Sequence, residues 1–261
     1  MNLYRKTTVT LMVIAVLLPL IPLVFWSFSF TWVYPDLFPT WDTRAWEYVF
    51  SKKNILSGIK YSVLIATIVT VVCLLLAFTA SKAIGTRRIK HKTALEVFFL
   101  MPTLVPAIAL SMGMQWAVIK TPLYSSLTGM IVCQIIFALP YTIFCLSATF
   151  KNYDIEYEQQ AEILGASKLD TLVYVTLPSI RSGLTVAILF TFLASWSQYL
   201  IITMVGDPSI KTLPVILFNM IGGSDIPIAS ALSLVFIAPV TVLLIISLFA
   251  FSKDNESGVD K

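Results

Sequence analysis

Six long runs of apolar residues restrict this chain more than any other feature of its sequence. A helix needs about 20 mostly apolar residues to cross a hydrocarbon core of about 30 Å, and each run is that long. In lipid only helices and closed barrels bond every backbone polar group, and a barrel would show alternating segments of about ten residues. The continuous runs therefore predict an all-α membrane protein with six transmembrane helices, at residues 8–30, 58–80, 94–119, 127–150, 179–203 and 226–251.

The composition excludes a soluble protein. Apolar residues make up 57% of the chain and charged residues 12%, whereas soluble domains hold about 45–50% and 25%. The first run follows Arg5 and Lys6, as the apolar core of a signal peptide would. It is too long for such a core, and no Ala-x-Ala-like cleavage site follows it, so we expect a retained anchor.

The basic residues predict the orientation of the helices. Lys and Arg concentrate in cytoplasmic connections, and the 18 in this chain divide 12 against 6 between the two sides if the N-terminus is cytoplasmic. Both termini are therefore expected inside. The 12 cytoplasmic residues of this arrangement are Arg5, Lys6, Lys82, Arg87, Arg88, Lys90, Lys92, Lys151, Lys168, Arg181, Lys253 and Lys261.

The sequence offers little for catalysis or for a metal. Cys73, Cys133 and Cys145 all lie inside apolar runs, where cysteine behaves as a small apolar residue, and their spacing fits no metal cage. The single histidine, His91, lies in a hydrophilic segment among Arg and Lys. No phosphate-binding Gly-x-x-x-x-Gly-Lys-Ser/Thr motif occurs, and no basic stripe suggests nucleic acid. We expect a non-catalytic chain without cofactor or metal.

Residues 151–178 form the longest polar connection on the predicted cytoplasmic side. Asp154 is a candidate N-cap for a short helix that ends near Leu164, where Gly165 can adopt the left-handed conformation. Ser167 and Asp170 resemble a capping box that opens a second helix, and Leu177-Pro178 would stop it. The pattern predicts a rigid knob of two short helices joined at a glycine.

This loop resembles the EAA loop of binding-protein-dependent ABC importer permeases. The family pattern is Glu-Ala-Ala, three residues, Gly, and Leu-Pro about a dozen residues later. Here Gln159 and Gln160 occupy the positions of the Glu and the first Ala. We therefore expect that the loop contacts its partner subunit through a neutral hydrogen bond from Gln159, or that Glu158 takes the place of the family's Glu. In the family this loop docks into the cytoplasmic ATPase. The resemblance implies coupling through Glu158, Gln159, Gln160, Ala161, Gly165, Ala166 and Ser167.

The resemblance also implies the type I ABC importer permease fold, its partners and its domains. The expected partners are a cytoplasmic ATPase dimer, a second permease that is a different chain, an extracytoplasmic solute-binding protein and the bilayer of a bacterial inner membrane. The second permease of polyamine-type systems is the nearest likeness. The expected domains are residues 1–55 (first helix and outer aromatic loop), 56–251 (five-helix core, with the coupling loop at 151–178) and 252–261 (cytoplasmic tail).

A polar cluster in the fifth run is the candidate lining of the path for a small polar solute. Its residues are neutral, and two explanations remain open: they line the path, or they hold helices together, as Ser and Gln often do in membranes. The absence of acidic residues in this run argues against a polycationic solute. The same order of helices and loops is typical of permeases for polyamines, iron, thiamine, phosphonate and sulfate, so the solute stays open. The residues are Ser195, Trp196, Ser197, Gln198 and Tyr199.

Two further alternatives remain at this stage. The outer loop 31–57 is rich in Trp and Tyr, which indicates either a belt at the lipid headgroups or a surface for an external partner. The other function considered is a stand-alone secondary transporter or channel. Such a protein would carry intramembrane carboxylates, a selectivity motif or inverted repeats with broken helices, and the sequence contains none that is convincing.

Overall fold

Helices make up the fold of this chain, as the apolar runs predict. The computed structural model describes residues 7, 11, 15, 18–30, 32, 36, 38–86, 92–223 and 225–257, the last ten of them and residue 92 by their backbone alone. Within these ranges there is no strand, and the isolated bridge joins Ser29 to Trp41. The all-α prediction is confirmed.

The helices follow one another with short connections. The segment before α10 includes a π-helical turn, named π1, between two short α-helices. The elements are α1 (Leu20–Ser27), α2 (Arg44–Ser51), α3 (Lys53–Thr86), α4 (Lys92–Leu104), α5 (Ala107–Val118), α6 (Leu127–Lys151), α7 (Glu156–Ile163), α8 (Lys168–Thr171), π1 (Leu172–Thr176), α9 (Leu177–Ser179), α10 (Arg181–Trp196), α11 (Leu200–Val205), α12 (Leu213–Ile221) and α13 (Ile226–Ser257).

Three described helices are long and apolar enough to cross a membrane unbroken: α3, α6 and α13. They contain the predicted spans 58–80, 127–150 and 226–251. Two bent helix pairs raise the number of candidate spans to five if each pair counts as one. The first predicted span, 8–30, lies largely outside the described residues, apart from α1 and a few helical positions before it. The six-span count and the orientation of the termini stay predictions.

The third predicted span is not one straight helix. It divides into α4 and α5, which are bent by 95° relative to each other. Pro106 has no amide hydrogen to continue the helix, and it disfavours the helical conformation at Val105. Pro102 lies inside α4 and weakens the same turn. Hydropathy alone did not predict this break, because the prolines do not divide the apolar run.

The fifth predicted span, 179–203, is also broken. Its first residue, Ser179, ends α9, and the segment Lys168–Ser179 is bent by 79° from α10. At the other end α10 stops at Trp196, and α11 begins only at Leu200. The Leu177-Pro178 pair, expected to end the second short helix, lies inside α9 instead, and the helix continues to Ser179.

The described chain divides into two compact units. The first comprises Met1–Tyr61 with Lys211–Thr241. In it Val49 of α2 and Leu213 of α12 are fully buried, and the guanidinium of Arg44 lies 3.6 Å from the carboxylate of Asp225. Much of the outer aromatic loop belongs here, with the Trp46 ring stacked at 6.1 Å on Phe50.

The second unit comprises Ser62–Ile210 with Val242–Lys261, and within it α6 packs against α4, α10 and α11. Two polar contacts hold α6 to α10: the hydroxyls of Thr142 and Thr191 lie 2.7 Å apart, and the Ser195 hydroxyl donates to Gln134. The α3 helix is bound to α6 by the Ser81 hydroxyl, which donates to the carbonyl of Ile143 at 3.1 Å. Hydrogen bonds of this type commonly join helices inside membranes.

Gly85 marks a close approach of α3 to α6. A Cβ at this position would overlap the backbone of Phe150, whose side chain is fully buried in the core of the second unit. Backbone atoms cannot rotate away as a side chain can, so a larger residue here must push the two helices apart. Gly113, on α5, has open space where its Cβ would lie.

We expect Gly85→Ala to destabilise the protein and Gly113→Ala to leave it unchanged or more stable. Overpacking costs about 1–3 kcal/mol, whereas Ala in place of Gly inside an unstrained helix gains up to about 1 kcal/mol. The measurement is thermal unfolding in detergent, followed through reaction of a thiol dye with the buried Cys73 and Cys133. Equal midpoints for the two variants would contradict this packing.

Candidate functional site

The coupling loop, residues 151–178, is built on a glycine elbow. The α7 helix ends in a Schellman motif: the amide of Gly165 donates to Glu162 O and the amide of Ala166 donates to Ala161 O, both at 3.0 Å. Gly165 has φ +91°, in the left-handed region where residues with a Cβ are strained. The predicted helix end near Leu164 and the predicted glycine elbow are both observed.

The second half of the loop begins with the predicted capping box. The Ser167 hydroxyl accepts from the amide of Asp170 at 3.2 Å, and the Asp170 carboxylate accepts from the amide of Ser167. The cap of α7 differs from the prediction, because Ile155 holds the N-cap position. Asp154 lies one residue earlier, and its carboxylate accepts from the amide of Glu156 at 2.9 Å.

The π1 turn brings Thr171 and Thr176 to one buried side of the loop. In an α-helix, residues five apart point about 140° away from each other, but the wider π turn closes an i to i+5 bond. Here the Thr176 hydroxyl lies 3.3 Å from Thr171 O, and both side chains are buried. The sequence pattern gave no sign of this turn.

Most of the predicted coupling residues face outward. Gln159, Gln160, Gly165 and Ser167 are exposed, and Ala161 and Ala166 are half-buried. Beside them, large apolar side chains project from the elbow: Ile163 is 84% exposed and Leu164 is 87% exposed. Leu169, at the start of the second helix, is also exposed. The tip of this polar loop is therefore apolar, and the predicted set of coupling residues did not include these three side chains.

Glu158 differs from the other predicted coupling residues because it faces inward and is only 9% exposed. Its carboxylate accepts from three donors on separate segments: Lys82 Nζ of α3 at 2.6 Å, the Tyr153 hydroxyl at 2.9 Å and the Thr176 hydroxyl at 2.7 Å. The carboxylate that was expected to substitute for the family's Glu is thus bound within this chain.

Burial alone would raise the pKa of Glu158, but the hydrogen bonds from its donors and the positive charge of Lys82 outweigh it, so its pKa lies below the ordinary value. The side chain is therefore ionised at neutral pH. Its contribution to stability is present above the unfolded pKa and is lost as the pH falls through the lowered folded pKa. Burial, partly offset by the hydrogen bond with Thr176, raises the pKa of Tyr153 to about 12.

The candidate path residues fall into two groups. Ser195 is 3% exposed and Trp196 is 1% exposed, the first bound to Gln134 and the second stacked on Phe192 at 5.8 Å. These two residues lie where α10 packs inside its own unit, as the alternative of helix association predicts. Ser197 is exposed, and Gln198 and Tyr199 are half-buried.

The break between α10 and α11 gives residues 197–199 a particular position. Irregular backbone within a membrane span is tolerated where it is buried in protein or lines a water-filled cavity. The amide of Ser197 still bonds to Leu193 O at 3.0 Å, and the amide of Thr203 to Tyr199 O at the same distance. The break therefore leaves a short neutral segment with hydroxyl, amide and phenol groups outside a regular helix.

The chain is similar to known transport proteins over most of its length. Residues 87–253 match the family described as the binding-protein-dependent transport system inner membrane component. A putative ABC transporter permease protein of Streptomyces antibioticus is 26% identical over 72% of this chain and 82% of its own length. A putative 2-aminoethylphosphonate transport system permease protein of Salmonella paratyphi A is 27% identical over 77% of this chain and 78% of its own length.

A trehalose transport system permease protein of Mycobacterium tuberculosis is 28% identical over 65% of this chain and 62% of its own length. Among solved structures, a bacterial ABC transporter that imports the acidic polysaccharide alginate aligns with a TM-score of 0.73 and 16% identity, over 95% of both chains. This likeness gives the fold, that of an ABC importer permease. The relatives named here are not polyamine permeases, and the predicted likeness to the second permease of polyamine-type systems is not confirmed.

We expect substitution of Gly165 to loosen the elbow according to how well the new residue tolerates a positive φ. Gly165→Val has open space for its side chain but must bear left-handed strain of roughly 1–2 kcal/mol, whereas Asn adopts this region more readily. In Gly165→Val, hydrogen exchange at the amides of residues 165 and 166 should rise about tenfold. Gly165→Asn should change less. Equal exchange in Val and wild-type protein would contradict the strain.

Proposed function

Because the chain belongs to the binding-protein-dependent transport system inner membrane components, we propose that its coupling loop receives the stroke of a cytoplasmic ATPase. The chain is an ABC importer permease, a multi-pass protein of the bacterial inner membrane. A permease of this kind does not hydrolyse ATP, and no phosphate-binding motif occurs in this sequence. The energy must then arrive through a contact with another subunit.

The apolar tip of the coupling loop is the observation that carries this proposal. Ile163 and Leu164 project from a polar loop and are almost fully exposed. A cluster of exposed apolar side chains rimmed by polar residues is typical of a protein interface, and here the rim includes Gln159 and Gln160. The Schellman motif and the capping box hold the tip rigid, which a surface that transmits force requires.

The complete importer contains further subunits. We propose an ATPase dimer below the membrane, a second permease as a different chain that completes the path, and an extracytoplasmic solute-binding protein above it. A bacterial alginate ABC transporter, solved in complex with a pentasaccharide-bound periplasmic protein, aligns with this chain at a TM-score of 0.65 and 15% identity, over 95% of this chain and 92% of its own. That assembly supports the proposed binding-protein partner.

The transported solute is proposed to be a small, uncharged, hydroxylated molecule such as a sugar. Ser197, Gln198 and Tyr199 offer neutral donors and acceptors. A polyamine would need compensating anionic groups once removed from water, and the predicted fifth span carries no acidic residue. The trehalose permease among the relatives is consistent with this class, whereas the 2-aminoethylphosphonate permease would favour a zwitterion instead.

We expect Leu164→Asp to remove the ATPase from the purified permease. A charge in the middle of an apolar contact surface costs its desolvation on docking and has no partner there. The measurement is co-purification of the ATPase with tagged permease in mild detergent, with ATP hydrolysis assayed on the eluate. Asn152→Asp adds the same charge to an exposed position before α7 and serves as the control.

Retention of the ATPase by Leu164→Asp, at the level of the Asn152→Asp control, would contradict docking at this tip. Wild-type permease that purifies without any ATPase would contradict the proposed coupling to an ATPase through this loop.

The proposed path predicts a pattern of thiol accessibility around the break. In a chain with its native cysteines replaced by Ser, Ser197→Cys should react with a charged, membrane-impermeant thiol reagent at least tenfold faster than Ser195→Cys, because only the former side chain is exposed. Phe190→Cys is the control for lipid exposure: its side chain is exposed on α10, within the predicted fifth span. Fast labelling at 195 or 190, and not at 197, would place the path elsewhere.

A further inference from the structure

We propose that Glu158 is a positioning residue that fastens the coupling loop to the end of α3, so that the loop and α3 move as one body when the ATPase pushes. This inference rests on the proposed coupling function and adds the route by which a displacement leaves the loop. It concerns a residue whose side chain faces away from the proposed ATPase surface.

The geometry of the carboxylate is the first argument. Its two oxygens are divided between partners: Oε2 accepts from Lys82 Nζ at 2.6 Å, and Oε1 accepts from the hydroxyls of Tyr153 and Thr176. One side chain thus joins the end of α3, the connection after α6, α7 and π1. Hydrogen bonds with an ionised acceptor and an ionised donor are about twice as strong as neutral ones.

The environment of the pair is the second argument. The side chain of Glu158 is 12% exposed and that of Lys82 is 29% exposed, so water screens their attraction less than it would on an open surface. Removing one partner of such a pair leaves an uncompensated, poorly solvated charge. The lowered pKa of Glu158 agrees with a carboxylate that stays ionised in this position.

The length of α3 is the third argument. The helix has 34 residues and is therefore about 51 Å long at 1.5 Å per residue. Lys82 lies one turn before its C-terminal end, at Thr86. A force applied to the loop at Glu158 therefore acts on the end of a long helix that contains the predicted second span.

The surroundings provide matched controls. A cleft of about 220 Å³ next to the pair is lined by two further charges, Glu162 and Lys168. Both side chains are exposed, and neither forms an ion pair within the part of the chain that the structure describes. Glu162→Gln therefore removes an acidic charge from the same helix, one turn away from Glu158, without breaking the anchor.

The test measures the distance between spin labels on α3 and on the loop in the purified complex in lipid nanodiscs. Labels are attached at Thr79→Cys and Tyr157→Cys, both exposed positions outside the apolar tip, in a chain whose native cysteines are Ser. The anchored protein should give one narrow distance distribution. Glu158→Gln and Lys82→Met should widen it at least about twofold as the loop opens locally, and Glu162→Gln should not. The charge-reversed pair Lys82→Glu with Glu158→Lys should restore the narrow distribution.

The nucleotide response tests the single-body movement. With ATP, Mg²⁺ and vanadate, the distance between the two labels should stay constant in the wild type and shift in Glu158→Gln, because the loop then moves without α3. A wild-type distance that shifts, or a Glu158→Gln distribution as narrow as that of Glu162→Gln, would overturn the proposal. The widths of the distance distributions measured without nucleotide test the anchor even if no ATPase binds. Absence of ATPase binding would contradict the proposed function but not the anchor.

Discussion

The need to bond every backbone polar group inside lipid shapes this protein more than any other constraint. It explains why the described residues are helical and why each departure from a helix has a local cause. Pro106 separates α4 from α5, and the break at residues 197–199 retains bonds to Leu193 and from Thr203. These two breaks divide spans that look continuous in the sequence, and one of them presents the neutral polar groups proposed for the path.

The sequence predicted those features that depend on local chemistry. The glycine elbow at Gly165 and the capping box of Ser167 and Asp170 follow from residues a few positions apart, and both are observed. Contacts between distant segments were not predictable from one sequence. Lys82 appeared only as one of twelve cytoplasmic basic residues, and nothing in its neighbourhood indicates that its ammonium group meets Glu158, 76 positions away.

The break in the fifth span is a second feature that could not be predicted in full from the sequence. The polar residues from Ser195 to Tyr199 were predicted either to line the path or to hold helices together, but hydropathy does not tell which way a side chain points. The structure separates them: Ser195 is bound to Gln134 on α6, whereas Ser197 is exposed. The contact of Ser195 agrees with helix association, whereas path lining by the residues from Ser197 to Tyr199 stays a proposal.

Two opposite faces of the coupling loop have different tasks in this account: an apolar tip that docks, and a buried carboxylate that anchors. Docking at the tip is the central claim, and site-directed cross-linking tests it most directly. Leu164→Cys, in a chain without other cysteines and in native membranes, should form a cross-linked product with the ATPase through a short thiol-to-amine reagent. A yield of this product no higher than that from Phe190→Cys on α10 would contradict the claim that the importer receives its energy through this loop.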